Sequence, residues 1–240
     1  MKAFLCGVAA VLLLAPGLRA QASAVPPLLR IVDSNLQVGL PIHFCSVPTT
    51  VVGLAKRFNL VAGIEFTPGE CSAKWAKQRP AGEEVNLLGL TVEEALDKLV
   101  EIDRRYRWVE SDGVIVIRPV DAWGDPKNFL NQISPAFVID DKNLGGALDA
   151  IASNLDDQPH RGSDALATRT AQGSRTFSVH LRATSVVGVL NAIVKEHGAM
   201  WWEVHDHARV ATGQESRMVW LYTHDGSGLG VTTKRYPPSQ

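Results

Sequence analysis

A stripe of apolar residues on one predicted helix returns 94 residues further along the chain, and this repeat constrains the fold more than any other feature. Thr91 opens the first helix, and Glu94 three residues later completes a capping box. Val92, Ala95, Leu96, Leu99 and Val100 then share one helical face. Ser185 opens the second helix, with Val186, Val189, Leu190, Ile193 and Val194 on its stripe. Val92, Leu96, Leu99 and Trp108 correspond to Val186, Leu190, Ile193 and Trp202 at that offset of 94. An earlier pair of helices repeats at an offset of 93: Val51, Leu54 and Phe58 become Leu144, Ala147 and Ile151. Helices of this length are unstable alone and need a sheet to cover their apolar faces. The expected class is therefore α+β: two tandem small βαβ-type domains, with helices packed on small mixed sheets. A single mixed domain with fortuitous internal similarity is the alternative.

The best-defined stretch runs from Val85 to Pro119. It reads as strand, helix and hairpin. Tyr106 and Trp108 alternate with Arg107 as on a half-buried strand. Asp112-Gly113 is a two-residue hairpin turn, and Val114 to Ile117 returns as a β-branched strand. Upstream, Ile42 to Phe44 reads as a short strand, and a helix follows from Pro48. Leu60 to Phe66 reads as a strand broken at Gly63. The first unit spans 36–119. Residues 121–132 form a polar connector. The second unit spans 133–224. Its strand at Phe137 to Ile139 precedes a helix capped by Asp140 or Asp141. A long polar loop covers 156–175, Phe177 to Leu181 alternates as a strand, and Met218 to Tyr222 is the last strand. The tail 225–240, rich in Gly, Ser and Pro, is expected to be disordered.

Residues 1–24 read as a Sec-type signal peptide. Lys2 precedes an apolar run from Ala3 to Ala15, and small residues Ala20, Ala22 and Ala24 offer cleavage sites. The run is shorter than the roughly 20 residues a permanent span needs. No integral membrane span is expected in the mature chain, which is placed in the periplasm or outside the cell. With Lys2 and Arg19 gone, the formal charge moves from −1 to −3. That balance excludes the basic face a nucleic-acid partner demands. Cys45 and Cys71 remain, and an even count in an exported chain favours one disulfide, contributing about 3 kcal/mol.

The repeating unit resembles the STN module, the short N-terminal domain of secretins and of TonB-dependent signalling receptors. The likeness is carried by P-I-H-F-C-S-V-P-T-T-V-V-G-L-A-K-R-F and A-F-V-I-D-D-K-N-L-G-G-A-L-D-A-I-A at the openings. It is carried at the closings by V-N-L-L-G-L-T-V-E-E-A-L-D-K-L-V-E-I-D-R-R-Y-R-W and V-H-L-R-A-T-S-V-V-G-V-L-N-A-I-V-K-E-H-G-A-M-W-W. The second copy departs from the pattern, with Gly188 where the capping glutamate stands in the first. The resemblance implies a module that binds other proteins of the cell envelope and carries no catalytic residues. No pore or barrel segment is present in the sequence, so the binding character alone is carried over.

Other motifs have plain explanations. His205-x-His207 with His224 lacks a third ligand at metal spacing, and no metal or cofactor is expected. Gly226 to Gly230 neither follows a buried strand nor opens a helix, so it is not a phosphate loop. Glu93-Glu94 and Asp140-Asp141 lie at helix starts, where capping explains them. Trp201 and Trp202, close in sequence type to Trp220 and Tyr222, point to opposite faces of a strand. One belongs to the core, and the other is a candidate contact for a partner, the alternative being that both are buried. The expected function is a protein-interaction module of the envelope that binds by strand addition at exposed sheet edges. The competing readings are a secreted hydrolase or small-ligand binder using a cleft between the copies, and a polysaccharide-binding module with an exposed aromatic platform.

Overall fold

The computed structural model describes residues 37–38, 46–67, 85–87, 89–155, 175–208, 215–225 and 227–235. The helices form where the stripes require them. Helix α1 (Ser46–Phe58) buries Val47, Val51, Leu54 and Ala55. Helix α2 (Val92–Ile102) begins with the complete capping box: Glu94 N–H donates to Thr91 Oγ1 at 3.1 Å, and Thr91 N–H donates to Glu94 Oε2 at 2.6 Å. Helix α3 (Leu144–Leu155) is capped by Asn143, whose Oδ1 accepts from Gly146 N–H at 3.0 Å. This corrects the expectation of an Asp140 or Asp141 cap, because the preceding strand runs on through Lys142 and carries both aspartates outside the helix. Helix α4 (Val186–His197) starts on the Ser185 side chain and stops at Gly198, which adopts φ +74°.

The strands are β1 (Gln37–Val38), β2 (Ala62–Glu65), β3 (Val85–Asn86), β4 (Tyr106–Ser111) and β5 (Val114–Pro119) in the first half. The second half adds β6 (Ile133–Lys142), β7 (Phe177–Ser185), β8 (Met200–Ala208), β9 (Glu215–Thr223) and β10 (Gly228–Arg235). The β4–β5 turn has positive φ at both Asp112 and Gly113, as the Asp-Gly signal demands. Two small antiparallel sheets, β1–β3 and β6–β7, flank one six-stranded sheet ordered β10-β9-β8-β2-β5-β4.

That order joins the halves. Strand β2 of the first half lies between β5 and β8 and runs parallel to both. The α+β class with mixed sheets is present, but the units at 36–119 and 133–224 share this sheet instead of owning separate ones. The two halves meet where strands β2 and β8 pair. Helices α1 and α2 pack with Ala62, Ile64, Tyr106 and Ile117 on one face. Helices α3 and α4 pack with Val116, Trp202, Val204 and Leu221 on the other. Strands β6 and β7 cover α3 and α4 from outside through Phe137, Ile139, Phe177 and Val179. Burial of these two cores, at about 25 cal/mol per Å² of apolar surface, is the main stabilising term.

The repeat survives in the geometry. From one side of the sheet to the other, β9-β8 and β5-β4 are hairpins in the same left-to-right order. Strand β8 runs parallel to β2 and β5, hence antiparallel to β4. The helices of the two halves also lie on opposite faces. A half-turn about an axis crossing the sheet in its plane, with a shift along it, describes how the two hairpins and their helices correspond; β2 is left out of the correspondence, since the place beside β9 holds the antiparallel β10.

The tail expectation is corrected at its start. Residues 228–235 form β10, antiparallel to β9. Gly228 and Gly230 leave room for the Tyr222 and Trp220 rings, and a Cβ at either position would sit 2.2–2.4 Å from a ring atom. Glycines read as flexibility in sequence are here the flat bed on which two aromatic rings lie. Gly63 is likewise no break, since β2 runs through it. No helix among the described residues is long and apolar enough to cross a membrane.

Candidate functional site

The seam between the halves sets the geometry of the site. Trp202 on β8 faces Gly63 of β2 in register. Its ring lies where a side chain at Gly63 would be: an added Cβ would stand 2.0 Å from Trp202 Cε2. The indole Nε1 donates to Asn191 Oδ1 on α4 at 2.9 Å, which satisfies the buried N–H. Helix, tryptophan and glycine-bearing strand form one interlocked set.

The same set, less its last member, stands at the outer edge. Trp108 on β4 donates through Nε1 to Asp97 Oδ1 on α2, again at 2.9 Å. Asp97 and Asn191 are 94 residues apart, as are Trp108 and Trp202, so the hydrogen bond is itself repeated. Strand β4 ends the sheet, with β5 its one partner among the described residues. Val120 N–H donates to Arg105 O at 2.8 Å, which fixes the alternation along β4. The main-chain groups of Arg107 and Val109 therefore turn toward β5, and those of Trp108 and Glu110 turn outward. Trp202 is wholly buried under its neighbours, whereas Trp108 is partly exposed.

Of the two readings of Trp201 and Trp202, one as a candidate partner contact or both as buried, the structure has the second. Trp201 and Trp202 do point to opposite faces, but they are 3 % and 0 % exposed. Helices cover both faces of β8's neighbourhood, so neither ring reaches a partner. Trp201 donates to Glu203 Oε1 at 2.8 Å and stacks on Tyr222, which in turn stacks on Trp220. Burial, then the nearby Glu203 charge, push the Tyr222 phenol up to about 12.

The candidate histidines are also separated in role. His205 pairs with Glu203 Oε2 at 2.9 Å and stacks on Phe66, while His224 Nε2 meets Leu60 O at 3.0 Å. The His207 side chain lies outside the described residues, as do Cys45 and Cys71 with their expected disulfide. No group of three metal-ligating side chains is present among the described residues.

A second polar cluster closes the opposite face of the sheet near the end of β2. Arg118, 1 % exposed, donates from Nε to Glu65 Oε2 at 2.6 Å. Its Nη1 donates to Asn131 Oδ1, and its Nη2 to Asn128 Oδ1 and Ala122 O. Asn128 Nδ2 returns to Glu65 Oε1 at 2.6 Å. The guanidinium also lies over the Trp123 ring, 5.1 Å from its centroid. This network straps the connector onto the sheet and gives every buried nitrogen of Arg118 a partner. The connector, read in sequence as a polar spacer, is the source of both asparagines.

At the C-terminal end of α4, His197 is held below the ordinary histidine range by burial first, then by the Arg175 and His224 charges, with Asp225 opposing. The unfolded chain takes up this proton near pH 6.5, the folded chain only at lower pH. Stability is therefore complete above that value and declines as pH falls through it. Thermal melts between about pH 5 and 7 are expected to show this decline, and His197→Leu is expected to flatten the slope.

No protein-family model, curated protein or solved structure matches this chain. Sequence reasoning missed Gly63, Glu65 and Arg118. It also missed the Asp97–Trp108 and Asn191–Trp202 pairs, although a polar residue eleven positions before each tryptophan was there to be seen.

Proposed function

We propose that this chain is an exported adaptor of the cell envelope, built from two STN-like units fused through one sheet, which binds an extended segment of a protein partner. It acts as a binder and carries no catalysis. The observation that supports this reading is the β4 edge, unpaired among the described residues, where Trp108 and Glu110 turn their main-chain groups outward. Such an edge is a template for strand addition. The charged and polar edge residues Arg107, Glu110 and Ser111 fit a surface kept from indiscriminate pairing. The N-terminal apolar segment supports export, and the internal repeat supports the STN relationship.

A photo-crosslinking residue at Glu110, with one at Asp149 on the exposed side of α3 as control, tests this in intact cells. A discrete adduct in the envelope fraction from position 110 and none from 149 is expected. Equal patterns from both positions, or adducts only in the cytoplasm, would contradict it.

A further inference from the structure

We infer that the β4 edge is a selective slot for a partner strand that runs parallel to β4 and places a glycine against Trp108. This deepens the adaptor reading and rests on it.

The warrant is the chain's own seam. In the second half, α4 presents Asn191, Asn191 holds the Trp202 indole, and the indole covers Gly63 of an added parallel strand. In the first half, α2 presents Asp97, and Asp97 holds the Trp108 indole in the same way. The position beyond β4 is where the repeat places the counterpart of β2. Strand β4 also continues the sheet that already contains the seam, so the proposed contact prolongs an interface the molecule uses internally.

The slot filled by β2 states what the β4 slot takes. Its occupant, Leu60–Phe66, is apolar except at Glu65 and has one glycine at its centre: L-V-A-G-I-E-F. Ala62 and Ile64 face one core, and Gly63 faces the tryptophan on the other side. Any Cβ at the glycine position would collide with the ring, as at Gly63. The partner we expect is therefore an exported protein with a short extended segment of small or branched apolar residues flanking a glycine. Main-chain hydrogen bonds supply the affinity, and the tryptophan supplies the selection.

The test uses the full mature chain and a synthetic peptide with the sequence of residues 60–66, beside the same peptide with valine in place of its glycine. Binding is read from the Trp108 indole N–H in NMR, assigned with Trp108→Phe. The glycine peptide is expected to shift that signal and to bind at least about tenfold more tightly than the valine peptide. A spin label on the peptide N-terminus should broaden amides near Tyr106, not near Ser111, as a parallel strand requires. Glu110→Pro removes an outward N–H without touching the β4–β5 pairing, and should weaken binding about tenfold. The peptide comparison needs no protein variant, so it stands if that variant misfolds. Equal affinities, no binding at millimolar peptide, a shift at Trp202 instead, the opposite spin-label pattern, or self-association of the chain through β4 would overturn the slot. The failure is separable from that of the adaptor reading. A position-110 adduct without glycine selection leaves the adaptor and removes the slot. Glycine-selective peptide binding without any cellular adduct leaves the slot and removes the adaptor.

Discussion

Replacing Arg118 by methionine is expected to remove about 3–5 kcal/mol of folding stability, the cost of stranding a buried charge. Arg118 is 1 % exposed and Glu65 6 %, so neither reaches water when its partner is lost. Four donations from the guanidinium end at Glu65, Asn131, Asn128 and Ala122. Without them Glu65 keeps the single bond from Asn128, and Asn131 Oδ1 loses its donor. Arg118→Lys keeps the charge but not the planar fork, and should fall between the two. Replacing both partners, Glu65→Leu with Arg118→Met, is expected to recover much of the loss, because no charge is then left unpaired. Urea denaturation of the three variants checks this. A loss under about 1 kcal/mol for Arg118→Met would mean that the strap is solvated and contributes little.

Gly63→Val should be nearly as damaging, at about 3 kcal/mol, the upper part of the range for overpacking a filled core. The added Cβ alone would lie 2.0 Å from Cε2, 2.1 Å from Cζ2 and 2.4 Å from Nε1 of Trp202. The ring has no easy retreat, since its N–H is tied to Asn191 and the residue is fully buried. Combining Gly63→Val with Trp202→Leu should therefore be less harmful than the sum of the two changes, with a coupling of about 1 kcal/mol or more. Gly53 provides the contrast. Nothing lies within 4 Å of a Cβ built there, in the middle of α1. Gly53→Ala is expected to stabilise by about 0.5–1 kcal/mol through helix propensity. Thermal melts of the four variants decide the matter, and additivity of the first two would show that Gly63 and Trp202 do not meet.

Local structure was largely legible from the sequence where a local rule governs it, the α3 cap at Asn143 being the exception. The Thr91–Glu94 box, the Asp112-Gly113 turn and the four helical stripes depend on residues within a turn or two of each other, and each formed where expected. The pairing of β2 with β8 was not legible, because it joins residues about 139 positions apart whose side chains carry no mark of their neighbour. Gly63 looked like a break because a missing side chain in a strand has two causes, a bend or a ring lying over it. Arg118 and Glu65 carry no local mark of burial in the sequence. Their burial follows from a connector that folds back over them, which periodicity does not report. Gly228 and Gly230 were read as disorder for the same reason as Gly63, the rings they accommodate being on another strand. Trp201 and Trp202 were placed on the correct opposite faces, but the cover over both faces comes from helices of different halves.

Amide hydrogen exchange at β2 bears most directly on the union of the two halves. Paired on both sides, Ala62 to Glu65 send alternate N–H groups toward β5 and toward β8. The expected result is that all four amides exchange only through global unfolding, at a common free energy. Fast exchange at alternate β2 positions, with β5 and β8 each protected separately, would mean that β2 is an edge strand and that the halves do not share a sheet.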